Sequence, residues 1–299
     1  MPPDPAALGL LQRIMPRGTL RVSQMPVDVC RRLMDDFLPL AGPKAEIESI
    51  RDCSLAGITV RIYRGKGEEL QPACVYFHGG GWTLGRLEHY DALCSQIAKK
   101  SHWTVISVDY RLAPEHKFPI PVFDCWTALQ AIGVNATSLG IDNTRIVVAG
   151  DSAGGNLAAA VSLLARDYRF LLTGQILIYP AMDPVALRES YKFDYLLGHS
   201  DMIAFWNYYL HAPSDADSPL ASPLRASSLA GLPKTLILTA EFDPLRDEGE
   251  EFGQRLRQAG VDVLTTRYAG MIHGFVNFGA VLPQARQAIL QISEHLRSS

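Results

Sequence analysis

The chain has 299 residues, of which 47% are hydrophobic and 20% charged, enough apolar material for one large core with an elaboration. Its 28 basic and 31 acidic side chains give a net charge of −3 without a basic run, which excludes nucleic acid and anionic membranes as expected partners and favours a neutral small molecule. No leader pattern opens the chain, and no apolar run approaches the ~20 residues that cross a bilayer. We therefore expect no stable membrane insertion and a cytoplasmic location, with the oligomeric state open and a homodimer compatible with the sequence.

The five cysteines are odd in number and form no C-x-x-C pair, which argues against both a disulfide framework and a zinc site. Most of them are expected to be buried thiols. A P-loop, a dinucleotide fingerprint and a metal-ligand cluster are also absent from the sequence. We therefore expect no cofactor and no metal.

Helical patterns at 6–15 and 27–37 precede the first strand signals. Four large apolar residues ahead of the sheet are expected to pack on the core rather than line a substrate mouth: Leu33, Met34, Phe37 and Leu38. Strands are then predicted at 45–53, 57–63 and 73–77. The middle strand alternates clearly, which suits an antiparallel entry into a sheet.

Three glycines follow the third strand directly, in H-G-G-G-W at 78–82. Glycines leave backbone amides uncovered and able to approach a ligand, so the turn 79–81 can donate hydrogen bonds to an oxyanion. A flexible turn is the alternative interpretation. His78 precedes the turn and is expected to buttress this loop rather than act as a base.

A strand predicted at 104–109 leads into Y-R-L-A-P-E, where Arg111 and Glu115 are expected to fix the loop by polar contacts. Prolines as far as Pro121 are expected to prevent a helix until about residue 122. The next helix is accordingly predicted at 123–132.

A β-branched run at 145–149 and an Ala- and Leu-rich helical pattern at 156–166 enclose the sequence G-D-S-A-G. A strand that turns into a helix within five residues bends sharply, which requires glycine at 150 and 154. Ser152 is then forced into a strained, outward-pointing conformation at the positive end of the helix, as in a nucleophile elbow. The motif alone is also compatible with mere packing, so a base, an acid and an oxyanion hole are needed elsewhere.

After a strand at 176–179, the alternation of strands and helices breaks down between 182 and 226. A helix at 201–211 is crowded with aromatic residues, which is typical of an inserted lid whose apolar underside faces a pocket. Core packing is the competing interpretation. Substrate contacts are predicted for Trp82, Phe205, Trp206 and Tyr209.

The last predicted elements are a strand at 235–240, a helix at 249–259, a strand at 261–268 and a helix at 283–297. The turn 79–81, Ser152, Asp243 and His273 each follow a predicted strand end, and the C-terminal ends of parallel strands share one edge. We expect His273 to take the proton of Ser152 and Asp243 to orient the imidazole.

Two further carboxylates stand near these residues in the sequence. Asp247 lies four residues after Asp243, one turn into a helix, and is therefore less favoured as the orienting acid. Asp151, beside Ser152, either tunes the nucleophile or makes a structural hydrogen bond.

Taken together, H-G-G-G-W, Y-R-L-A-P-E, G-D-S-A-G-G, D-P-L-R-D-E-G and H-G-F resemble the hormone-sensitive-lipase-like family of α/β-hydrolase esterases, the GDSAG type, over residues 72–275. The resemblance implies an α/β-hydrolase fold, with a central, mostly parallel sheet flanked by helices and a helical cap. It implies Ser152 as nucleophile, His273 as base and Asp243 as acid. The oxyanion donors that it implies are Gly79, Gly80 and Ala153.

The same resemblance divides the chain into a cap and a catalytic core. Residues 1–44 would form N-terminal cap helices and 183–226 a cap insertion. Residues 45–182 and 227–299 would form the two parts of the core.

The favoured function is a carboxylic ester hydrolase acting on short to medium acyl esters through an acyl-enzyme intermediate. The limit on chain length comes mostly from the resemblance. An amide or lactone hydrolase with the same triad is the close alternative. A non-catalytic ligand receptor on the same scaffold, as in the gibberellin-receptor-like branch, is disfavoured because His273 and Asp243 are both retained.

Overall fold

The computed structural model describes residues 2–15 and 21–299. Its strands are β1 Ser49–Leu55, β2 Ile58–Arg64, β3 Gln71–Phe77, β4 Thr104–Val108, β5 Ile141–Asp151, β6 Gly174–Ile178, β7 Lys234–Phe242 and β8 Val263–Ile272. Its helices are α1 Pro5–Ile14, α2 Val27–Leu33, α3 Leu38–Ala41, α4 Leu87–Ser101, α5 Ile120–Val134, α6 Ala153–Asp167, α7 His199–Tyr209, α8 Arg246–Gln258 and α9 Pro283–Arg297.

The strands form one eight-stranded sheet in the order β1-β2-β4-β3-β5-β6-β7-β8. β1 and β2 pair antiparallel, β2 pairs antiparallel with β4, and the remaining pairs are parallel. The predicted antiparallel entry and the α/β-hydrolase fold are therefore confirmed. Because β3 to β8 run in parallel, the loops that leave their C-terminal ends converge at one edge of the sheet.

The apolar core lies in two layers, one on each face of the sheet. Side chains of α1, α4 and α9 pack on one face, and those of α5, α6 and α8 pack on the other. The central strands β3, β4 and β6 are buried along their whole length, as expected for parallel strands covered on both sides.

Several element boundaries differ from the sequence predictions. α5 begins at Ile120, since a proline in the first helical turn lacks only an amide that would have no partner there. The predicted helix at 27–37 is divided into α2 and a 3-10 helix, Met34–Phe37. α4 was not predicted, although its buried residues recur at helical spacing: Leu87, Tyr90, Leu93, Cys94 and Ile97.

All five cysteines are free thiols, and only Cys53 is partly exposed, which confirms the expectation of buried thiols. Within residues 2–15 and 21–299, no helix combines the length and apolar character that a bilayer span requires.

Close packing between α6 and β3 generates the first testable prediction. A methyl group at Gly154 would overlap the backbone oxygen of Phe77, whereas one at Gly9, on the exposed side of α1, would meet nothing within 4 Å. Gly154→Ala should lower the free energy of unfolding by ~3 kcal/mol. Gly9→Ala should raise it by about 0.5–1 kcal/mol, since alanine favours a helix interior.

Chemical denaturation of both variants measures the difference. Equal stability of the Gly154→Ala variant and the original chain would contradict the close packing of the elbow on β3.

Candidate active site

Ser152 occupies the turn between β5 and α6. Its φ of +56° lies in the left-handed region, which a non-glycine residue adopts only when the surrounding structure holds it there. The amide of Ser152 donates to the carbonyl of Ile178, which ties the turn to the neighbouring strand β6. The side chain therefore projects from a rigid elbow at the N-terminus of α6.

His273 follows β8 and lies between Ser152 and Asp243. Ser152 Oγ is 2.9 Å from His273 Nε2, and His273 Nδ1 is 2.8 Å from Asp243 Oδ2. Since a carboxylate can only accept, Nδ1 carries the proton and Nε2 is left to accept from the serine hydroxyl. The three side chains form one continuous chain of hydrogen bonds.

Asp243 directly follows β7 and is fully buried. Its second oxygen, Oδ1, accepts the amide of Leu245 at 2.8 Å. Asp247 lies instead in the first turn of α8 and accepts the amide of Ser190. The structure thus brings Asp243, and not Asp247, to the imidazole.

The glycine turn differs from the expectation in one respect. The amide of Gly79 donates to Asp151 Oδ1 at 2.9 Å and is therefore not free for an oxyanion, so its predicted role as a donor is wrong. Gly80 and Gly81 line the cavity beside Ser152, and no acceptor among the described residues bonds to their amides. Ala153 opens α6, so its amide has no partner within the helix.

Gly81 belongs to the turn 79–81 that the sequence predicts as a donor, although the donors implied by the family resemblance include only Gly79 and Gly80 of that turn. The available signal was Asp151: a carboxylate buried beside the elbow needs hydrogen-bond donors, and the nearest turn amide supplies one.

Asp151 joins the elbow to two other loops. Its carboxylate accepts from the hydroxyl of Tyr76 at 2.8 Å, from the amide of Gly79 at 2.9 Å and from Asn277 Nδ2 at 3.1 Å. Burial raises the pKa of Asp151 above its ordinary value, and these hydrogen bonds oppose the rise. Of the two roles that the sequence allows for Asp151, these contacts favour the structural hydrogen bond over tuning of the nucleophile.

His78 supports the glycine turn from below, as predicted. It is fully buried, stacks on Tyr110 with ring centroids 4.4 Å apart, and its Nδ1 lies 2.8 Å from the carbonyl of Gly79. Burial lowers the pKa of His78 to about 4. The imidazole is therefore neutral at physiological pH.

A cavity of about 560 Å³ opens above Ser152 and His273. Trp82, Phe205 and Trp206 line it, as predicted for substrate contacts. Met34 and Phe37 pack against the core as expected. All four of the N-terminal residues considered also line this cavity, which the expectation did not include: Leu33, Met34, Phe37 and Leu38.

Tyr209 was predicted to contact substrate, but it does not line the cavity. It is fully buried and stacks face to face on Trp82, with ring centroids 4.2 Å apart, and contacts Phe118 edge-on from the other side. Its position at the last residue of α7 places it behind Trp82, where it supports the wall.

Ion pairs join the loop after β4 to α2 and to α5. Arg31 of α2 pairs with both oxygens of Glu115 at 2.7 Å and also donates to the carbonyls of Thr83 and Ala113. Arg111 pairs with both oxygens of the buried Asp124. The predicted structural roles of Arg111 and Glu115 are confirmed.

A hydroxyl, an imidazole and a buried carboxylate at the carboxyl edge of a parallel sheet, next to free backbone amides, are the arrangement of a serine hydrolase. The family described as having the alpha/beta hydrolase fold matches residues 74–277. The chain belongs to that family.

Known relatives resemble almost the whole chain. An arylesterase of Saccharolobus solfataricus is 37% identical, covering 92% of this chain and 93% of its own length. An ethyl acetate hydrolase of Pseudomonas putida is 34% identical, covering 93% and 92%. The structure of a hyperthermophilic esterase from Pyrobaculum calidifontis superimposes with a TM-score of 0.95 at 40% identity, covering 100% of this chain and 99% of that one.

The lowered pKa of His78 predicts a pH dependence of stability. Between pH 6.5 and 4, His78 is protonated in the unfolded chain but neutral in the folded chain. The free energy of unfolding therefore falls as the pH falls, and this group contributes at most ~1.4 kcal/mol per pH unit. Buried His295, whose pKa is lowered to about 4 by burial and by Lys234, acts in the same direction.

Urea unfolding between pH 7 and 4 tests this dependence. His78→Gln and His295→Gln should each flatten the decline, whereas a control at exposed His211 should not. Retention of the full slope in both buried variants would contradict the assignment.

Proposed function

We propose that this chain is a serine carboxylic ester hydrolase that works through an acyl-enzyme. Ser152 Oγ attacks the ester carbonyl carbon while His273 Nε2 takes its proton, and Asp243 stabilises the imidazolium. The amides of Gly80, Gly81 and Ala153 stabilise the oxyanion. When the C–O bond breaks, His273 protonates the leaving alcohol.

The second half of the reaction uses the same groups. His273 removes a proton from water, the hydroxide attacks the acyl carbon, and the bond to Ser152 Oγ breaks with return of the proton. A carboxylic acid leaves and the resting enzyme is restored.

One observation carries this proposal: the 2.9 Å and 2.8 Å contacts that place His273 between a hydroxyl and a buried carboxylate. The esterase names of the relatives agree with it. Within the family, the motifs H-G-G-G-W and G-D-S-A-G-G support assignment to the hormone-sensitive-lipase-like, GDSAG-type group.

The proposed substrates carry short to medium acyl chains. The cavity of about 560 Å³ has a mainly apolar wall, and aromatic side chains of α7 form part of that wall, which limits the space for an apolar tail. The ethyl acetate hydrolase named above acts on a short ester, in line with this size.

Other features expected from the sequence stay predictions. They are the cytoplasmic location, the lack of nucleic-acid partners, the homodimer, and the division into cap residues 1–44 and 183–226 and core residues 45–182 and 227–299.

Ser152→Ala tests the proposed function directly. Hydrolysis of p-nitrophenyl butyrate should fall by at least ~10⁴-fold, because no other group supplies the attacking oxygen. Ser162→Ala is the matched control, since Ser162 lies in α6, the helix that Ser152 precedes, and its hydroxyl donates only to the carbonyl of Ala158. Normal turnover by the Ser152 variant would contradict the proposal.

The close alternatives separate in the same assay. Butyryl p-nitroanilide or a lactone cleaved faster than the ester would favour the amide or lactone hydrolase. A receptor would leave Ser152 unlabelled by a fluorophosphonate.

A second cavity, of about 320 Å³, lies on the other side of α7, and Met202 and Trp206 contribute to the walls of both cavities. Trp206→Ala should therefore shift the preferred p-nitrophenyl ester toward longer acyl chains. Ile203→Ala, at a residue that lines the second cavity and is half-exposed, should leave the preference unchanged. Hydrolysis rates of p-nitrophenyl esters from acetate to decanoate measure the shift. An unchanged profile in the Trp206 variant would contradict the proposal that Trp206 separates the two cavities.

A further inference from the structure

A short segment of the insertion, residues 189–195, lies against the loop that carries Asp243. We call it the acid-loop clamp. Ser190 in this clamp is fully buried, and its hydroxyl donates to the carbonyl of Pro244 at 2.7 Å. Its amide donates to Asp247 Oδ2 at 2.8 Å. On the C-terminal side of Asp243, one residue of the insertion therefore bonds both to the loop and to the first turn of α8.

The clamp also contacts the residue that precedes Asp243. Phe193 and Tyr195 meet the ring of Phe242 edge-on, with centroids 5.4 Å and 5.9 Å away. The guanidinium of Arg246 lies over the Phe193 ring at 5.2 Å. Both chain neighbours of Asp243 are thus held by side chains from 189–195.

The charge of Asp247 fits this arrangement. Burial would raise its pKa, but hydrogen bonds from the Arg246 side chain and from Ser190 outweigh burial and hold the pKa below its ordinary value. Asp247 therefore remains a carboxylate that binds the clamp, which gives a use to the acidic residue that does not reach His273.

Positioning matters because the carboxylate must keep the imidazole within about 0.5 Å of its working geometry. Asp243 lies in a loop between β7 and α8, and a loop needs contacts from elsewhere to be held that closely. Its own hydrogen bonds go to Leu245, in the same loop, and to His273. The clamp supplies contacts from outside the loop.

We propose that Ser190 is a positioning residue for the reaction, which fixes the backbone around Asp243 through Pro244 and Asp247 and so sets the orientation of His273. The insertion then serves the triad as well as covering the cavity. This inference rests on the proposed function for its reaction, although not for its geometry.

A double-mutant cycle separates positioning from a merely structural role. Ser190→Ala should lower kcat about 10-fold with KM nearly unchanged, because the misplaced carboxylate affects the proton transfer and not substrate binding. In the Asp243→Asn background, the same substitution should change kcat less than about 2-fold, since the group it positions is already disabled. Equal factors in both backgrounds would overturn the proposal.

Conservative variants guard against a folding defect. Thr and Val have nearly the same shape, so Ser190→Thr should restore most of the activity and Ser190→Val should not. Ser222→Ala is the matched control: Ser222 is also fully buried in the insertion, and its hydroxyl has no partner among the described residues. Equal rates for the Thr and Val variants would also overturn the proposal.

The rate of fluorophosphonate labelling at Ser152, measured on the same variants, keeps the two proposals apart. Coupling between Ser190 and Asp243 in the labelling rate, without ester turnover, would support positioning and contradict the esterase. Ester turnover, with additive effects of the Ser190 and Asp243 substitutions, would support the esterase and contradict positioning. A serine that is never labelled would contradict both.

Discussion

The close approach of the elbow to the end of β3 is the constraint on which the site depends. Gly150 and Gly154 leave no room for a side chain between β5, α6 and the backbone of Phe77. This contact holds Ser152 in its left-handed conformation and brings it beside the turn that follows β3. A hydroxyl and uncovered amides thereby face the same point, although they are about seventy residues apart in the chain.

Two carboxylates serve this geometry in different ways. Asp151 is buried and accepts hydrogen bonds from Tyr76 in β3, from the glycine turn and from the loop after β8, so it fixes these segments to one another. Asp243 is buried and directs one oxygen at His273. Two carboxyl groups are thus buried at the edge of the sheet, and each of them accepts hydrogen bonds from neighbouring loops.

Much of the site could be predicted from the sequence because strand ends in a parallel sheet must share an edge. Ser152, Asp243 and His273 follow from that rule, and so does the choice of Asp243 over Asp247. Features set by contacts between distant loops could not be predicted. Asp151 stands beside Ser152 in the sequence, but the amide that its carboxylate accepts depends on how the two loops meet. It accepts the amide of Gly79 and leaves those of Gly80 and Gly81 without an acceptor among the described residues.

The aromatic residues illustrate the same limit. Trp82 and Tyr209 are both aromatic residues that the sequence predicts as substrate contacts. Trp82 lines the cavity, whereas Tyr209 stacks behind Trp82. Helical spacing predicts which residues share a face of α7, but the partner of that face comes from the turn after β3. The segment 182–226 lacks a regular sequence pattern for a related reason. Met182 and Ser190 in it are held by hydrogen bonds to α8 and to the loop that carries Asp243, which leave no periodic pattern in the sequence.

The most direct test of the central claim is a crystal structure of the chain inhibited by an alkyl phosphonate. We predict a bond between phosphorus and Ser152 Oγ, with the phosphonyl oxygen about 2.7–3.1 Å from the amides of Gly80, Gly81 and Ala153. Phosphorus on another residue, or an oxygen that accepts from Gly79 in place of Asp151, would contradict it.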